Sequence, residues 1–172
     1  MSTGTRIPLA EARAIANDVI NQLGPHCSRI QVAGSIRRSQ PTIGDIEVVC
    51  LPCPYEELPL LCTGIAAVIN QWEKLKGKLP CRYTQRRLPS GMKLDLFMPD
   101  PQGFGLQLAI RTGSAAWCKA VLAPAWVRAG YRSKGGILRR ADGSMVPTPD
   151  EHTLFRLIGL EWVAPEDRDV LA

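Results

Sequence analysis

Three acidic residues lie in otherwise apolar, strand-like runs: Asp45 and Glu47 in Gly44-Asp45-Ile46-Glu47, and Asp95 in Lys93-Leu94-Asp95-Leu96-Phe97. A carboxylate in such a setting is costly unless it is paired or holds a metal ion. Side chains two apart on a strand share a face, about 6.5–7 Å apart along it, so Asp45 and Glu47 point together while Ile46 points away. Asp95 arrives on a second strand, with Leu94 and Leu96 turned opposite. If the two strands neighbour each other in one sheet, the three carboxylates converge, and they repel one another unless a cation lies between them. Oxygen ligands of this kind suit Mg²⁺, or Mn²⁺ in its place, rather than zinc. Two such ions about 3.5–4 Å apart would serve an attacking oxygen and a triphosphate. The chemistry expected is metal-dependent phosphoryl or nucleotidyl transfer, with Asp45, Glu47 and Asp95 as metal ligands.

A turn, Gly34-Ser35-Ile36-Arg37-Arg38, lies just upstream. Gly34 permits close backbone approach, so that Ser35 and its N–H can meet a phosphate. Arg38 adds a forked cation for phosphate oxygens. A lone Asp-x-Glu or a lone Gly-Ser turn is common. Their order and spacing together are much more specific.

The elements that must position these residues can be read from periodicity. Pro8 to Leu23 has apolar residues at helical spacing and stops at Gly24-Pro25. Arg29 to Ala33 is a short strand, Gly34 to Gly44 a turn, and Asp45 to Leu51 a β-branched strand. Leu58 to Lys76 carries a second helical pattern. Arg82 to Leu88 and Met92 to Met98 flank Pro89-Ser90-Gly91 as a hairpin whose second strand delivers Asp95. A loop through Pro99 to Gly103 marks the boundary between a catalytic domain, 1–102, and a smaller domain, 103–172. Beyond it, Ser114 to Ala129 reads as a helix despite Pro124, Tyr131 to Val146 as a hairpin turning at Asp142-Gly143, and Asp150 to Leu160 as a short helix. The fold class expected is mixed α+β: a mixed sheet backed by two helices, followed by a small α+β unit.

Composition is that of an ordinary globular protein, with 45% hydrophobic and 22% charged residues among 172. The net charge of +5 and pI near 9.0 favour a polyanionic partner. The cations are grouped, with Arg82, Arg86 and Arg87 in one segment and Arg128, Arg132, Lys134, Arg139 and Arg140 in the last third. No apolar run reaches the length of a membrane span, and Met1 to Arg6 lack the apolar core of a signal peptide, so a cytoplasmic monomer is expected. For a virally encoded chain that means the host's cytoplasm or nucleoid. The six cysteines, Cys27, Cys50, Cys53, Cys62, Cys81 and Cys118, read as free thiols. Cys50 and Cys53 have zinc-knuckle spacing, but no second such pair exists.

The order Gly-Ser-x-Arg-Arg, Gly-Asp-Ile-Glu and Leu-Asp-Leu-Phe resembles the palm of the nucleotidyltransferase superfamily. Arg111-Thr112-Gly113-Ser114 is similar to the turn that opens the nucleotide-binding helix in the thumb of family X DNA polymerases. Gly130-Tyr131, Glu151 with Phe155, Gly159-Leu160 and Pro165-Glu166-Asp167-Arg168 continue that likeness, which covers about 30–168. It implies a minimal palm-plus-thumb DNA polymerase, without helix-hairpin-helix segments or a lyase domain, that fills short gaps in damaged DNA from dNTPs. It also implies roles for individual residues. Asp45 and Glu47 would bind both metals, and Asp95 the catalytic one together with the primer hydroxyl. Gly34, Ser35 and Arg38 would bind phosphates. Thr112, Gly113 and Ser114 would contact the incoming nucleotide, and Lys119 would lie under the templating base. Lys93 stands where the family has an Arg near the primer terminus. The DNA contacts expected are Lys93, Arg82, Arg86, Arg87, Arg111, Arg132, Lys134, Arg139 and Arg140.

The chain departs from the family at several positions. Glu47 stands where Asp is usual, Ile110 and Arg111 replace an aromatic pair that helps exclude ribonucleotides, Cys118 replaces an Asn, and Leu122 replaces a template-contacting Arg. These changes imply altered metal placement, altered sugar selection and lower fidelity. Trp117 is expected in the core of the thumb helix rather than against a base. Two other readings compete. One is a template-independent terminal transferase, or a nucleotidyltransferase acting on RNA or a small molecule. The other is a nucleic-acid-binding protein on a retired palm.

Overall fold

The computed structural model describes residues 6–53 and 64–169. The chain divides into two compact units, Met1–Met98 and Pro99–Ala172. Both mix helix and strand, as expected from the sequence.

In the first unit, a two-residue strand β1 (Ile7–Pro8) leads into helix α1 (Leu9–Leu23). Ala12, Ala16, Val19 and Leu23 recur at helical spacing and are the residues α1 buries. Strand β2 (Cys27–Val32) follows, then a single helical turn α2 (Gly34–Arg37), β3 (Thr42–Ile43) and β4 (Ile46–Pro52). The expected turn at Gly34 is thus a helical turn, closed by Arg37 N–H on Ala33 O and Arg38 N–H on Gly34 O. β3 pairs with β1, a pairing too short to leave a sequence pattern.

Helix α3 spans Gly64–Ile69 and is followed by strand β5 (Glu73–Lys76), then β6 (Tyr83–Arg87) and β7 (Lys93–Phe97). The expected helix therefore ends earlier than its apolar pattern. Its first part, 58–63, lies outside the described residues, and its last four residues are strand. Glu73-Lys74-Leu75-Lys76 has no β-branched residue, and its pairing with β6 overrides local propensity.

The five-stranded sheet has the order β2-β4-β7-β6-β5. Only β4 and β7 run parallel; the other neighbours are antiparallel. One face carries the core: Ile46, Val48, Cys50, Leu94 and Leu96 pack with α1, Ile69 and Trp72. The opposite face carries Glu47 and Asp95, as the period-2 alternation requires.

In the second unit, α4 (Phe104–Thr112), not foreseen from the sequence, runs up to the Gly113-Ser114 turn. The expected helix from Ser114 is one continuous run of α5 (Ala115–Trp117), a π turn (Cys118–Leu122) and α6 (Ala123–Arg128). Pro124 lacks an N–H for the ordinary ladder, and the wider turn just before it is how the helix passes through. The expected single hairpin is a three-stranded meander, β8 (Arg132–Lys134), β9 (Ile137–Arg139) and β10 (Met145–Val146). Its additional turn is Gly135-Gly136, both with positive φ, the conformation a two-residue hairpin loop requires.

Helix α7 (Glu151–Leu157) is capped by Asp150, which accepts from the Thr153 N–H at 2.7 Å. Leu106, Ala109, Trp117, Leu122, Leu138, Leu154 and Phe155 form this unit's core. The free thiols among the described residues are Cys27, Cys50, Cys53, Cys81 and Cys118; Cys62 lies outside them. A hydrogen bond with Cys27 and burial push the Cys50 thiol up. Among the described residues, no helix is long and apolar enough to cross a membrane.

Candidate active site

The sheet register brings the acidic residues of the first unit together. Glu47 and Asp95 are direct partners across the parallel β4–β7 pair, with Ile46 opposite Leu94. Asp45 lies one residue before β4. Its carboxyl is held above the usual range by burial and then by the charge of Asp95, an effect that Lys93 and Arg6 partly offset. Like charges are therefore gathered just after the Gly34 turn, on and before two neighbouring inner strands of the sheet.

Asp95 is the most firmly oriented of the three. Its Oδ1 accepts from the Tyr83 hydroxyl at 2.5 Å and from Gln85 Nε2 at 2.9 Å. Gln85 is the cross-strand partner of Asp95 in the β6–β7 hairpin, and Tyr83 stacks on Phe97 with ring centroids 5.1 Å apart. Sequence reasoning missed both residues, although the hairpin closing at Pro89-Ser90-Gly91 fixes the register that opposes Gln85 to Asp95. It also missed Arg6, whose Nε donates to Thr42 Oγ1 at 3.0 Å and whose charge reaches Asp45.

Glu47 is turned toward the Gly34 turn. Gly34 has φ +62°, and a Cβ there would stand 2.0 Å from Glu47 Oε2. Glycine is required at this position by conformation and by space together. The Ala33 N–H donates to Glu47 O at 2.8 Å, which ties the turn to β4. Ser35 and Arg38 lie half-buried on and just after α2.

The fit to a divalent ion is partial. The donor set is all carboxylate oxygen, the chemistry of Mg²⁺ or Mn²⁺. Yet among the described residues no three His, Cys, Asp or Glu side chains come close enough together to hold an ion. With Glu47 packed on Gly34 and Asp95 on Tyr83 and Gln85, the three expected ligands share a strand pair without closing into a ligand cage.

The expected basic face around β6 is corrected at one position. Arg82 and Arg87 are exposed, and Arg87 pairs with Glu73 at 3.1 Å. Arg86 is 3% exposed, and its Nε donates to Thr84 Oγ1 at 3.0 Å. Thr84 in turn donates to Lys76 O at 2.8 Å, so Arg86 belongs to the β5–β6 packing rather than to a DNA-facing surface. Strand alternation sets this: Arg86 shares its face with Thr84 and sits opposite Leu94. Lys93 is half-buried opposite Arg87.

In the second unit, Thr112 is fully buried at the end of α4. A Cβ on Gly113 would stand 2.5 Å from the Trp117 ring and 2.9 Å from Cys118 Sγ, so the turn packs flush on the following helix. Ser114 caps that helix, accepting from the Trp117 N–H at 3.1 Å, and its own N–H donates to Arg168 O at 2.9 Å. Arg111 is half-buried and Lys119 exposed. Trp117 lies in the core, as expected. Leu122 is fully buried, and Cys118 Sγ donates to Ile110 O at 3.4 Å. Arg132, Lys134 and Arg140 are exposed, with Arg139 half-buried beside them.

The tail is locked by one ion pair. Arg168, with no exposed surface, donates to both carboxylate oxygens of Glu151 at 2.5 and 3.2 Å and to Val163 O at 2.9 Å. Its guanidinium also lies 5.0 Å from the centre of the Phe155 ring, 5.7 Å from Trp162 and 5.8 Å from Trp117.

Residues 107–169 match the family described as DNA polymerase beta thumb. The second unit is therefore similar to the thumb of a family X polymerase, and the match includes the Thr112-Gly113-Ser114 turn and the Glu151–Arg168 pair. No curated protein matches the chain at a meaningful level.

Proposed function

We propose that the chain is a DNA-directed DNA polymerase that adds dNTPs to a primer 3′-hydroxyl and fills short gaps in DNA repair. The observation that carries this reading is the β4–β7 register, which opposes Glu47 to Asp95 with Asp45 close enough to feel the Asp95 charge. The thumb match over 107–169 supports DNA as the acceptor.

In this reading the first unit is the palm and the second the thumb. Asp45, Glu47 and Asp95 would hold the divalent ions, which when bound would neutralise triphosphate charge and polarise the reacting phosphoryl group. Asp95, kept in one orientation by Tyr83 and Gln85, aligns the primer 3′-hydroxyl. The 3′-hydroxyl gives up its proton to Asp95 or to water, its oxygen attacks the α-phosphorus, and the new P–O bond forms as the bond from the α-phosphorus to the β-phosphate oxygen breaks and pyrophosphate leaves. Ser35 and Arg38 hold the β- and γ-phosphates. Ser114 fixes the helix that follows the buried Thr112-Gly113 turn, so any contact of that turn with sugar or base requires the turn to be uncovered, and the exposed Lys119 stands on that helix toward the template. Lys93, Arg82, Arg87 and Arg111 supply charge for the DNA backbone.

A second reading, template-independent addition, is favoured by one observation. Leu122 is fully buried where the family carries a template-contacting Arg, so that position offers the template no cation.

Primer extension across a one-nucleotide gap, with Mg²⁺ or Mn²⁺ and each of four dNTPs, tests the proposal. Template-matched addition, lost in Asp95→Ala, is expected. Addition indifferent to the template supports terminal transfer instead. No addition in either metal overturns the polymerase reading and directs the search to RNA or small-molecule acceptors.

A further inference from the structure

Two thiols that the proposed reaction does not use lie together in the first unit. β2 and β4 are antiparallel, and their register shifts between Cys27 and Arg29. Strict alternation from Ile30, which lies opposite Cys50, would turn Cys27 to the other face of the sheet. The shift prevents this. Ser28 is the extra residue: it is exposed, and its Oγ donates to Leu51 O at 3.2 Å. Cys27 then stands opposite Pro52, which shares a face of β4 with Cys50. Both cysteines join the same apolar cluster, and their thiols share a hydrogen bond. The Cys53 N–H donates to His26 O at 2.9 Å and closes the strand pair just beyond them.

The two sulfurs are not equivalent. Cys27 is half-buried and within reach of a small solute, whereas Cys50 has no exposed surface. The bond from Cys50 draws the Cys27 thiol down toward its thiolate form against the opposing effect of burial, while the Cys50 thiol is pushed up. The thiolate is the reactive form of a cysteine. A reachable thiolate with a second thiol in contact behind it is the arrangement in which oxidation ends at a disulfide.

We propose that Cys27 and Cys50 form a peroxide-sensitive dithiol, which hydrogen peroxide oxidises to a disulfide between β2 and β4. Cys27 Sγ attacks one peroxide oxygen. An S–O bond forms, the O–O bond breaks, and the departing oxygen takes up a proton and leaves as water. Cys50 Sγ then gives up its proton to the sulfenic oxygen and attacks Cys27 Sγ. The S–S bond forms as the S–O bond breaks, and a second water leaves. Two thiols are oxidised by two electrons, and one hydrogen peroxide is reduced to two waters. The bond closes a loop that contains the Gly34 turn, Asp45 and Glu47, so oxidation ties the strand carrying Glu47 to the strand leading into that turn.

The test exposes the full folded chain to a small excess of hydrogen peroxide, alkylates the remaining thiols, and maps the digested peptides by mass spectrometry. A linked pair joining Cys27 to Cys50 is expected, reversed by dithiothreitol. The oxidised chain is expected to melt about 5 °C above the reduced one. Cys50→Ala, which cannot close the bond, is expected to leave a sulfenic acid on Cys27 that dimedone traps. Cys81→Ser, outside the pair, is expected to oxidise as the wild type does. Recovery of both Cys27 and Cys50 as alkylated thiols from treated wild type overturns the proposal. So does a link that joins Cys27 to Cys53 instead, or one that forms only in denaturant. The linkage is read on the wild type, so the test stands even where Cys50→Ala fails to fold.

Discussion

The two units treat charge in opposite ways. In the second, Arg168 is wholly buried, yet every part of it is answered: a two-pronged bond to Glu151, a backbone carbonyl and three aromatic rings. In the first, Asp45 is pressed by burial and by Asp95, and Glu47 stands directly opposite Asp95 on the neighbouring strand. A satisfied buried charge holds a fold in one arrangement. Carboxylates brought together on neighbouring strands repel one another, and a cation between them would relieve that repulsion. The second unit neutralises its buried charge internally, whereas the first gathers charge of one sign.

The contrast breaks first at the ion pair. Glu151→Ala leaves a buried guanidinium without its carboxylate and is expected to cost about 3–5 kcal/mol. Chemical denaturation of the chain should show the second unit unfolding first, and a loss below 1 kcal/mol would deny the pair its structural role.

Asp95→Ala tests the opposite pole. It should lower primer extension by about 10³-fold or more, roughly 4 kcal/mol in barrier, with the thermal midpoint in metal-free buffer unchanged or higher. A smaller consequence is expected at the turn. Gly34→Ala forces a left-handed φ on a residue with a Cβ and pushes that Cβ into Glu47 Oε2, so a stability loss of about 1–2 kcal/mol should appear with a fall in activity.

Tyr83→Phe removes one of two donors to Asp95 Oδ1 and should reduce kcat about tenfold while leaving the KM for dNTP near its wild-type value. The finest test is the pH dependence of stability. Because the Asp45 carboxyl is raised in the folded state, its contribution is fully present below the ordinary carboxylate range and is lost as pH rises through the raised value. In metal-free buffer, Asp45→Asn should therefore raise the thermal midpoint at pH 7 and give no gain near pH 3.

How far the sequence reveals this arrangement depends on the residue. Asp45, Glu47 and Asp95 are visible because each interrupts an apolar strand, a pattern that is expensive without a function. Tyr83 and Gln85 are not, because polar residues alternating along a hairpin strand look the same whether they face water or a carboxylate. Arg86 misleads for the related reason that its neighbours Arg82 and Arg87 are exposed, while alternation turns Arg86 inward. Strand β5 is hidden because Glu73-Lys74-Leu75-Lys76 has no strand propensity of its own and depends on β6 for its form. The third strand of the meander is hidden at Gly135-Gly136, where two positive φ values in succession close a two-residue loop, tighter than the one at Asp142-Gly143.

The central claim is that the opposed carboxylates of β4 and β7 form a cation-dependent site. Titrating Mn²⁺ into the wild type and into Asp95→Ala, with bound ion read by electron paramagnetic resonance, tests it most directly. The account predicts Mn²⁺ uptake by the wild type that is lost in Asp95→Ala while Glu151→Gln, if folded, retains it. Equal uptake by wild type and Asp95→Ala, or none by either at millimolar Mn²⁺, would contradict it.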